Sequence, residues 1–173
     1  MDRYPSAGAI PAEGCGYLFT ILLTSLIAAT VAPTPATKAV VNAAISQLSS
    51  KPCPFCEIPA DREIIAENKT ALAFYDGFTV TPGHTLIIPK RHVAGYFDLN
   101  QDELCNINEL QFTCRNILQV QYKPQGFNLG VNVGEAAGQT IFHCHIHLIP
   151  RYTGDVANPR GGVRGVIPGR QNY

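Results

Sequence analysis

A short run of alternating histidines constrains the fold of this chain more than any other feature. Three histidines occupy alternate positions: His143, His145 and His147. The positions between and after them are apolar: Cys144, Ile146 and Leu148. Because alternate side chains of a β-strand point to the same face, the run predicts one face of imidazoles and one apolar face. Neighbouring imidazoles on such a strand stand about 7 Å apart, and this clustering favours chemistry over packing as their role.

Length and charge limit the classes of protein to which the chain can belong. Its 173 residues suit one domain with an extension, and its net charge at pH 7 is zero. That balance argues against a nucleic-acid binder, which carries a broad basic surface, but it leaves a small nucleotide as a possible ligand. The six cysteines are irregularly spaced in a chain too long to need a disulfide scaffold. They favour a reducing compartment and predict a cytoplasmic protein.

The composition changes near position 50. Residues 1–50 hold only four charged side chains and include an apolar run of 16 residues, from Tyr17 to Ala32. A spanning helix needs about 20 residues, and the flanks lack the positive charge of a signal peptide. We therefore expect residues 1–50 to be an extension that is either packed on the domain or without function. Both of these interpretations rank above a membrane anchor. Residues 51–173 are expected to form the functional domain.

The remaining sequence predicts five strands and one long helix. The strands are expected over residues 64–67, 71–75, 84–89, 127–133 and 141–150. The helix is expected over residues 101–122, because apolar residues keep helical spacing between the capping residue Asn100 and the terminating Pro124. This order of elements predicts an α+β domain with an antiparallel sheet rather than a doubly wound one.

Two cysteines at C-x-x-C spacing, Cys53 and Cys56, provide a second motif. The spacing alone fits zinc binding, redox chemistry or simple burial, although the βαβ context of a thioredoxin-like site is absent. A tetrahedral zinc site needs two more nitrogen or sulfur ligands. His92 and one histidine of the triplet are the expected partners, and His84 is the competing choice.

Taken together, these residues resemble the histidine triad (HIT) superfamily, whose pattern is His, apolar, His, apolar, His, apolar, apolar. Residues 143–149 fit that pattern, residues 127–140 resemble the family's phosphate-side loop, and residues 76–92 resemble its nucleoside-side strand. The resemblance covers residues 53–173, and the tail Arg151 to Tyr173 is similar to that of bacterial dinucleoside polyphosphate hydrolases. It implies a five-stranded antiparallel sheet with one long and one short helix, dimerising through the helix and an edge strand.

The resemblance also implies a reaction and a set of site residues. The chain is expected to hydrolyse the α-phosphate linkage of a nucleoside polyphosphate or phosphoramidate through a covalent nucleotidyl-histidine. His145 is the implied nucleophile, and His147 hydrogen-bonds a phosphate or the bridging oxygen. Other implied contacts are polar: Gln139 and Thr140 at the phosphates or leaving group, Asn132 at the phosphate side, and Asp76 at the ribose hydroxyls.

Zinc-containing members of the family imply a different role for the first histidine of the triplet. In those members it joins the cysteine pair and the histidine of a Pro-Lys-x-His stretch. In this chain the implied ligands are Cys53, Cys56, His92 and His143. Four protein ligands leave no open coordination position, so the implied zinc is structural.

Three other functions remain open on the sequence. A zinc hydrolase would bind a catalytic metal with the triplet histidines, although Cys53 and Cys56 offer the metal a separate site. A nucleotide-binding module would lack turnover, and the presence of His145 argues against it. Nucleotidyl transfer to a sugar phosphate is the reaction of members that resemble two fused triad domains, whereas this chain has one.

Overall fold

The computed structural model describes residues 52–173. Its strands are β1 (Ile64–Glu67), β2 (Ala71–Tyr75), β3 (Thr85–Pro89), β4 (Gly126–Val131) and β5 (Ile146–Arg151). One long helix, α1 (Gln101–Tyr122), connects β3 to β4. Within the described range, short 3₁₀ helices cover Tyr96–Asp98, Glu135–Ala137 and Gly162–Val166.

The strands form one antiparallel sheet in the order β1-β2-β3-β5-β4. β5 therefore lies between two partners, with His147 opposite Leu86 on β3 and opposite Gly130 on β4. The edges of the sheet are β1 and β4. The predicted α+β class and the antiparallel sheet with one long helix are confirmed.

Helix α1 begins where the sequence predicts because its first turn is capped on both sides. The Asn100 side chain accepts from the Glu103 N–H at 2.9 Å, and the Glu103 carboxylate accepts from the Asn100 N–H at 2.9 Å. Arg91 adds two hydrogen bonds of 2.8 Å to the same buried carboxylate. The helix ends at Lys123, whose left-handed conformation (φ 51°) precedes Pro124.

The two faces of the sheet carry different cores. On the helix side the buried residues include Ala73, Ile87, Ile107, Cys114, Leu118, Cys144, Ile146 and Leu148. On the other side a smaller cluster contains Phe74, Leu86 and Ile88, with Phe55, Ile58 and Leu72 packed against it. Leu86 pairs with His147, and directly paired residues share a face. We call this second side of the sheet the site face.

The structure corrects the predicted start of the last strand. A strand was predicted over residues 141–150, but β5 begins at Ile146. Ile146 is the last residue with partners on both sides, since it pairs with Ile87 on β3 and with Val131 at the end of β4. β4 ends at this point, and β3 continues to Pro89 but pairs with β5 no further than Ile87.

His143 and His145 consequently lie in the segment that leads into β5, not in the strand itself. A hydrogen bond of 2.6 Å from the Cys144 N–H to the Val93 carbonyl holds this segment in place. The alternation of sides persists, because Cys144 is buried in the helix-side core while His145 packs against Phe55 on the site face. The predicted spacing changes, however: the rings of His145 and His147 lie 5.2 Å apart rather than about 7 Å.

The predicted extension over residues 1–50, including the apolar run, lies outside the described residues. Its assignment, and the boundary at residue 51, stay predictions. Within residues 52–173, no helix is both long and apolar enough to cross a bilayer.

Candidate active site and metal site

The ring of His145 has one nitrogen occupied and one available. Its Nδ1 lies 2.8 Å from the carbonyl oxygen of His143. A carbonyl can only accept, so Nδ1 carries the proton and Nε2 keeps its lone pair. The ring itself is buried against Phe55, at 5.3 Å between centroids. A neutral imidazole held in this tautomer has the electronic form that a nucleophile needs.

His147 is oriented by a second histidine on the neighbouring strand end. The Nε2 of His84 lies 3.0 Å from the Nδ1 of His147, and the two rings stack at 5.2 Å. The Nδ1 of His84 lies 3.4 Å from the N–H of Val80 and 3.4 Å from the Oδ2 of Asp76. In the neutral tautomer in which this nitrogen accepts from Val80, the Nε2–H of His84 donates to His147, and His147 presents its own Nε2–H as a donor.

Asp76 completes this group from the end of β2. Its Oδ2 lies 3.4 Å from the Nδ1 of His84 and 4.0 Å from the Nδ1 of His147. Its Oδ1 accepts a hydrogen bond of 2.9 Å from the N–H of Phe78, which fixes the carboxylate in the loop. The carboxylate can therefore stabilise a proton on His84 whenever that imidazole becomes charged.

Burial keeps these imidazoles uncharged near neutral pH. The pKa of His147 is lowered by burial first, then by His145 and His84, and Asp76 offsets part of the effect. The pKa of His84 is likewise lowered by burial and partly restored by Asp76. Both rings are thus neutral hydrogen-bonding groups at pH 7.

Two residues that contact this group lacked a catalytic role in the sequence analysis. His84 appeared only as a competing zinc ligand, and that alternative is wrong because its ring faces His147 and Asp76. Phe55, inside the C-x-x-C motif, packs edge-on against His145 at 5.3 Å and His143 at 5.9 Å. A histidine between a turn and an apolar strand was a signal for His84; nothing in the sequence marked Phe55.

The loop after β4 contains the predicted phosphate-side residues Asn132, Gln139 and Thr140. The Gln139 side chain is buried and bonded to backbone: it accepts from the Gly134 N–H at 2.8 Å and donates to the carbonyls of Ala94 and Ile141. In this arrangement it shapes the loop rather than facing a ligand. Asn132 is half-buried and Thr140 is exposed. Their predicted phosphate contacts stay predictions.

The four implied metal ligands converge in space. The donor atoms of Cys53, Cys56, His92 and His143 all lie within 4.8 Å of one another. Both cysteines are free thiols. The motif therefore brings the start of the described chain against the segments that follow β3 and precede β5.

The geometry of this Cys/His cluster fits zinc. A tetrahedral ion with bonds of about 2.3 Å to sulfur and 2.0 Å to nitrogen separates the two donors by about 3.5 Å. The observed Sγ to Nδ1 distances are 3.2 Å for Cys56 to His92, 3.6 Å for Cys56 to His143 and 3.5 Å for Cys53 to His143. The other nitrogen of His143 donates to the Pro89 carbonyl at 2.9 Å, as second-sphere partners of metal ligands do.

The triplet is thus divided between two sites in the described structure. His143 faces the cysteine pair, whereas His145 and His147 face Phe55 and His84. A zinc hydrolase using all three triplet histidines as ligands to one metal is not compatible with this division.

The chain belongs to the HIT family. The HIT domain model matches residues 57–154, more than half of the 173 residues. An uncharacterized HIT-like protein of Mycoplasma genitalium is 40% identical over 103 residues, covering 58% of this chain and 73% of that protein. A crystal structure of a Zn-bound histidine triad family protein from Mycobacterium smegmatis matches this chain with a TM-score of 0.56 and 32% identity. That match covers 61% of this chain and 79% of the Mycobacterium smegmatis chain.

Two further relatives carry names that describe an activity. The AP-4-A phosphorylase of Mycobacterium tuberculosis is 33% identical over 107 residues, covering 59% of this chain and 55% of that enzyme. The asymmetrical bis(5'-nucleosyl)-tetraphosphatase of Schizosaccharomyces pombe is 31% identical over 101 residues, covering 58% of this chain and 56% of that enzyme. This chain therefore spans about half the length of each of these two relatives.

Proposed function

We propose that this protein is a nucleotide hydrolase that cleaves the α-phosphate linkage of a nucleoside polyphosphate or phosphoramidate, with dinucleoside polyphosphates as the leading substrate class. The observation that carries the proposal is the pair of oriented imidazoles. His145 has a free Nε2, because its Nδ1–H is bonded to the His143 carbonyl, and His147 presents an N–H beside it. One ring is suited to act as a nucleophile and the other as a hydrogen-bond donor to the leaving group.

The reaction follows from these two roles. The Nε2 lone pair of His145 attacks the α-phosphorus and forms a P–N bond while the bond to the bridging atom breaks. The leaving group accepts a hydrogen bond from the Nε2–H of His147 and takes any proton it needs from solvent, since a neutral imidazole does not give up its N–H near pH 7. Water then attacks the same phosphorus, the P–N bond breaks, and a nucleoside monophosphate is released as the proton of the water passes to solvent. His84 and Asp76 hold the ring of His147 in this orientation.

A specific observation supports one alternative. The relative from Mycobacterium tuberculosis is named a phosphorylase, whereas the one from Schizosaccharomyces pombe is named a tetraphosphatase. The two names differ in the second acceptor, inorganic phosphate or water, and both are compatible with a nucleotidyl-histidine. A protein that binds or transfers the nucleotide with little hydrolysis would share the first step and differ only in the second.

The nucleoside and phosphate contacts are assigned from the same face of the sheet. Asp76 binds the ribose hydroxyls, and Phe55 supplies an apolar surface beside His145. Asn132, Thr140 and the loop organised by Gln139 contact the phosphates. The left-handed Gly138 (φ 85°) lies in this loop, whose amides at Ala137, Gly138 and Gln139 donate to carbonyls of the loop itself.

The Cys/His cluster is proposed to hold zinc with a structural role. When bound, the ion supplies a tetrahedral cross-link among Cys53, Cys56, His92 and His143. The residues themselves explain why such a cross-link matters for the site. Phe55 lies between the two cysteines and contacts His145, and the His143 carbonyl fixes the tautomer of His145.

A substrate panel tests the proposed function. Diadenosine tetraphosphate, ADP and adenosine 5'-phosphoramidate are assayed side by side, with and without inorganic phosphate. Release of AMP without added phosphate supports hydrolysis, and release of ADP only with phosphate supports phosphorolysis. Absence of turnover with all three substrates would contradict an enzymatic role.

A further inference from the structure

The tail of the domain carries concentrated positive charge. Residues 156–173 contain three arginines and no acidic side chain: Arg160, Arg164 and Arg170. All three are exposed. Among the ion pairs of the described residues, none involves these arginines, whereas Arg151 just upstream is paired with Asp155 at 2.7 Å. The tail therefore presents positive charge that the described part of the protein does not neutralise.

Two of the arginines are held together on one aromatic ring. The guanidinium carbon of Arg160 lies 4.8 Å from the Tyr173 ring centroid, and that of Arg164 lies 5.1 Å from it. An aromatic face attracts each cation but leaves its in-plane N–H donors free. Bringing two like charges to one ring costs electrostatic energy, and an anion between or beside them would offset that cost.

The backbone of the tail fixes this pair. Gly161 adopts a φ of 83°, and an added Cβ there would collide with the Gln171 carbonyl, so the two ends of the tail approach closely. The Asn158 side chain donates to that of Asn172 at 3.3 Å, and the Arg164 guanidinium donates to the Arg170 carbonyl at 3.4 Å. The arginines are thus mounted on a folded segment.

The tail lies along the site face of the sheet. On β4, Gly130 is opposite His147 and Asn128 is opposite Ile149. Asn128 therefore lies two residues along β4 from the position opposite His147, a distance of about 7 Å. Gly162 lies between the two arginines in the sequence. A Cβ added to Gly162 would lie 3.4 Å from the side-chain amide nitrogen of Asn128, so the tail contacts β4 here. A cleft of about 490 Å³ lies between the tail and these strands, and its lining includes Asn128, Gly162 and the ion pair of Arg151 with Asp155.

We infer that Arg160 and Arg164, presented by Tyr173, bind the phosphates distal to the reacting α-phosphate. This inference rests on the proposed function and specifies its substrate: a chain of several phosphates that extends from His145 along β4 to the tail. Guanidinium groups pair with phosphate through two parallel N–H donors, so a pair of them selects polyphosphate over a single phosphate. The subsite contributes to binding of long substrates and adds nothing for a substrate that ends at the α-phosphate.

The test compares long and short substrates in a double variant. Arg160→Gln/Arg164→Gln is assayed against the wild type with diadenosine tetraphosphate and with adenosine 5'-phosphoramidate. Loss of two charged contacts is expected to lower kcat/KM for the tetraphosphate about 10- to 100-fold, mainly through KM. The phosphoramidate value is expected to stay within about 2-fold, since that substrate has no distal phosphate. Equal effects on both substrates, or no effect on either, would overturn the inference.

Matched variants separate charge at this place from charge in general and from folding. Arg115→Gln removes an exposed arginine of α1 and is expected to leave both substrates unchanged. Tyr173→Phe keeps the ring and is expected to behave as wild type, whereas Tyr173→Ala is expected to show part of the loss for the tetraphosphate. Tyr173→Phe and Tyr173→Ala having the same effect would show that the ring does not present the arginines.

Binding measured by calorimetry distinguishes failure of the inference from failure of the proposed function. Both proteins are measured in a His145→Ala background, so that the substrate is not consumed; the protein with Arg160 and Arg164 is expected to bind diadenosine tetraphosphate more tightly than AMP, and the protein with both arginines replaced is expected to lose that difference. If the wild type turns over no substrate but this binding difference is present, the proposed reaction fails and the subsite stands. If turnover is present and the binding difference is the same in the double variant, the subsite fails and the reaction stands.

Discussion

Neighbouring imidazoles in this protein differ in role because each has a different hydrogen-bond partner. His145 donates a hydrogen bond from its Nδ1–H to a carbonyl, which leaves a lone pair on Nε2. His147 accepts at Nδ1 from His84, which leaves a proton on Nε2. The rings lie 5.2 Å apart, and both are drawn from one stretch of sequence. The backbone and His84, rather than the residue type, therefore determine which nitrogen of each ring is available for the proposed roles of nucleophile and hydrogen-bond donor.

Replacing His145 by alanine is expected to remove turnover while retaining nucleotide binding. The variant loses the only atom proposed to form the P–N bond, so kcat is expected to fall by more than about 10³-fold. Mass spectrometry of the wild type quenched during turnover should detect a nucleotidyl adduct on residue 145. The control is His147→Ala, which lacks the hydrogen-bond donor to the leaving group but can still form the adduct with a good leaving group. Multiple-turnover activity in His145→Ala near the wild-type level would contradict the assignment.

The sequence predicted which residues the structure brings together better than it predicted the contacts around them. The triplet and the C-x-x-C pair are recognisable from the spacing of neighbouring residues. The family resemblance could therefore assign His143 to the metal site, and His145 and His147 to the reaction, from the sequence alone. The role of His84 depends on a ring 63 positions away in sequence, and no local pattern encodes that distance. Gln139 shows the same limit, because its buried amide bonds are made to the backbone of Ala94, 45 positions away.

The predicted bounds of the helix and strands were accurate where signals in the local sequence define them. The bounds of β1, β2 and α1 match the prediction, because turn residues and a reciprocal cap define them. β5 starts later than predicted because its first residue is set by where β3 and β4 begin to pair with it. That information is tertiary, and the alternating pattern of residues 141–145 continues without it.

The cap of α1 predicts a pH dependence of stability. Arg91 donates to Glu103 and holds the pKa of that buried carboxyl below its ordinary value of 4.5. A lowered pKa in the folded state adds stability that is present above about pH 4.5 and is lost as the pH falls through the folded value. Glu103→Gln keeps an acceptor for the Asn100 N–H but loses the charge, so it is expected to cost about 1–3 kcal/mol at pH 7.

Urea unfolding of the wild type and Glu103→Gln between pH 3 and pH 7 measures this effect. The difference between them is expected to shrink below about pH 4.5, because the wild-type carboxyl also becomes neutral there. Glu109→Gln, at an exposed position of the same helix, is the control and is expected to show little difference. A difference that stays constant across the range would contradict a charge-dependent role for Glu103.

The Cys/His cluster predicts one zinc ion per chain that connects three separate segments. Cys56→Ser removes one of four ligands, and zinc content measured by elemental analysis is expected to fall well below one per chain. The melting temperature is expected to fall by more than about 10 °C, because binding and folding free energies are linked. Cys105→Ser changes a cysteine on α1 outside the cluster and is expected to retain the metal. Protein purified without zinc yet equally stable would refute the assignment.

The whole domain has two sheet edges, and one of them predicts how it assembles. β4 ends the sheet with Leu129 exposed by 46%, and α1 exposes Phe112 and Val120. An exposed edge strand with apolar residues is commonly covered by a partner. We expect a homodimer through α1 and β4, and expect Leu129→Arg to shift it toward monomer in light scattering. Ile64→Arg, on the opposite edge strand β1, is expected to leave the dimer intact. A wild type that is an active monomer at micromolar concentration would contradict this interface.

Residues 1–48 are expected to be dispensable for catalysis, which is the last consequence of how the site is built. All residues assigned to the reaction and to the metal lie between Cys53 and His147, and the tail subsite lies further along the chain. A chain beginning at Ser49 should therefore keep its zinc and a kcat/KM within about 3-fold of the full chain, since no contact to the transition state is removed. It should also be more soluble, because the apolar run from Tyr17 to Ala32 is absent. A truncated protein that remains folded and zinc-loaded but loses activity would show that the extension contributes to the site.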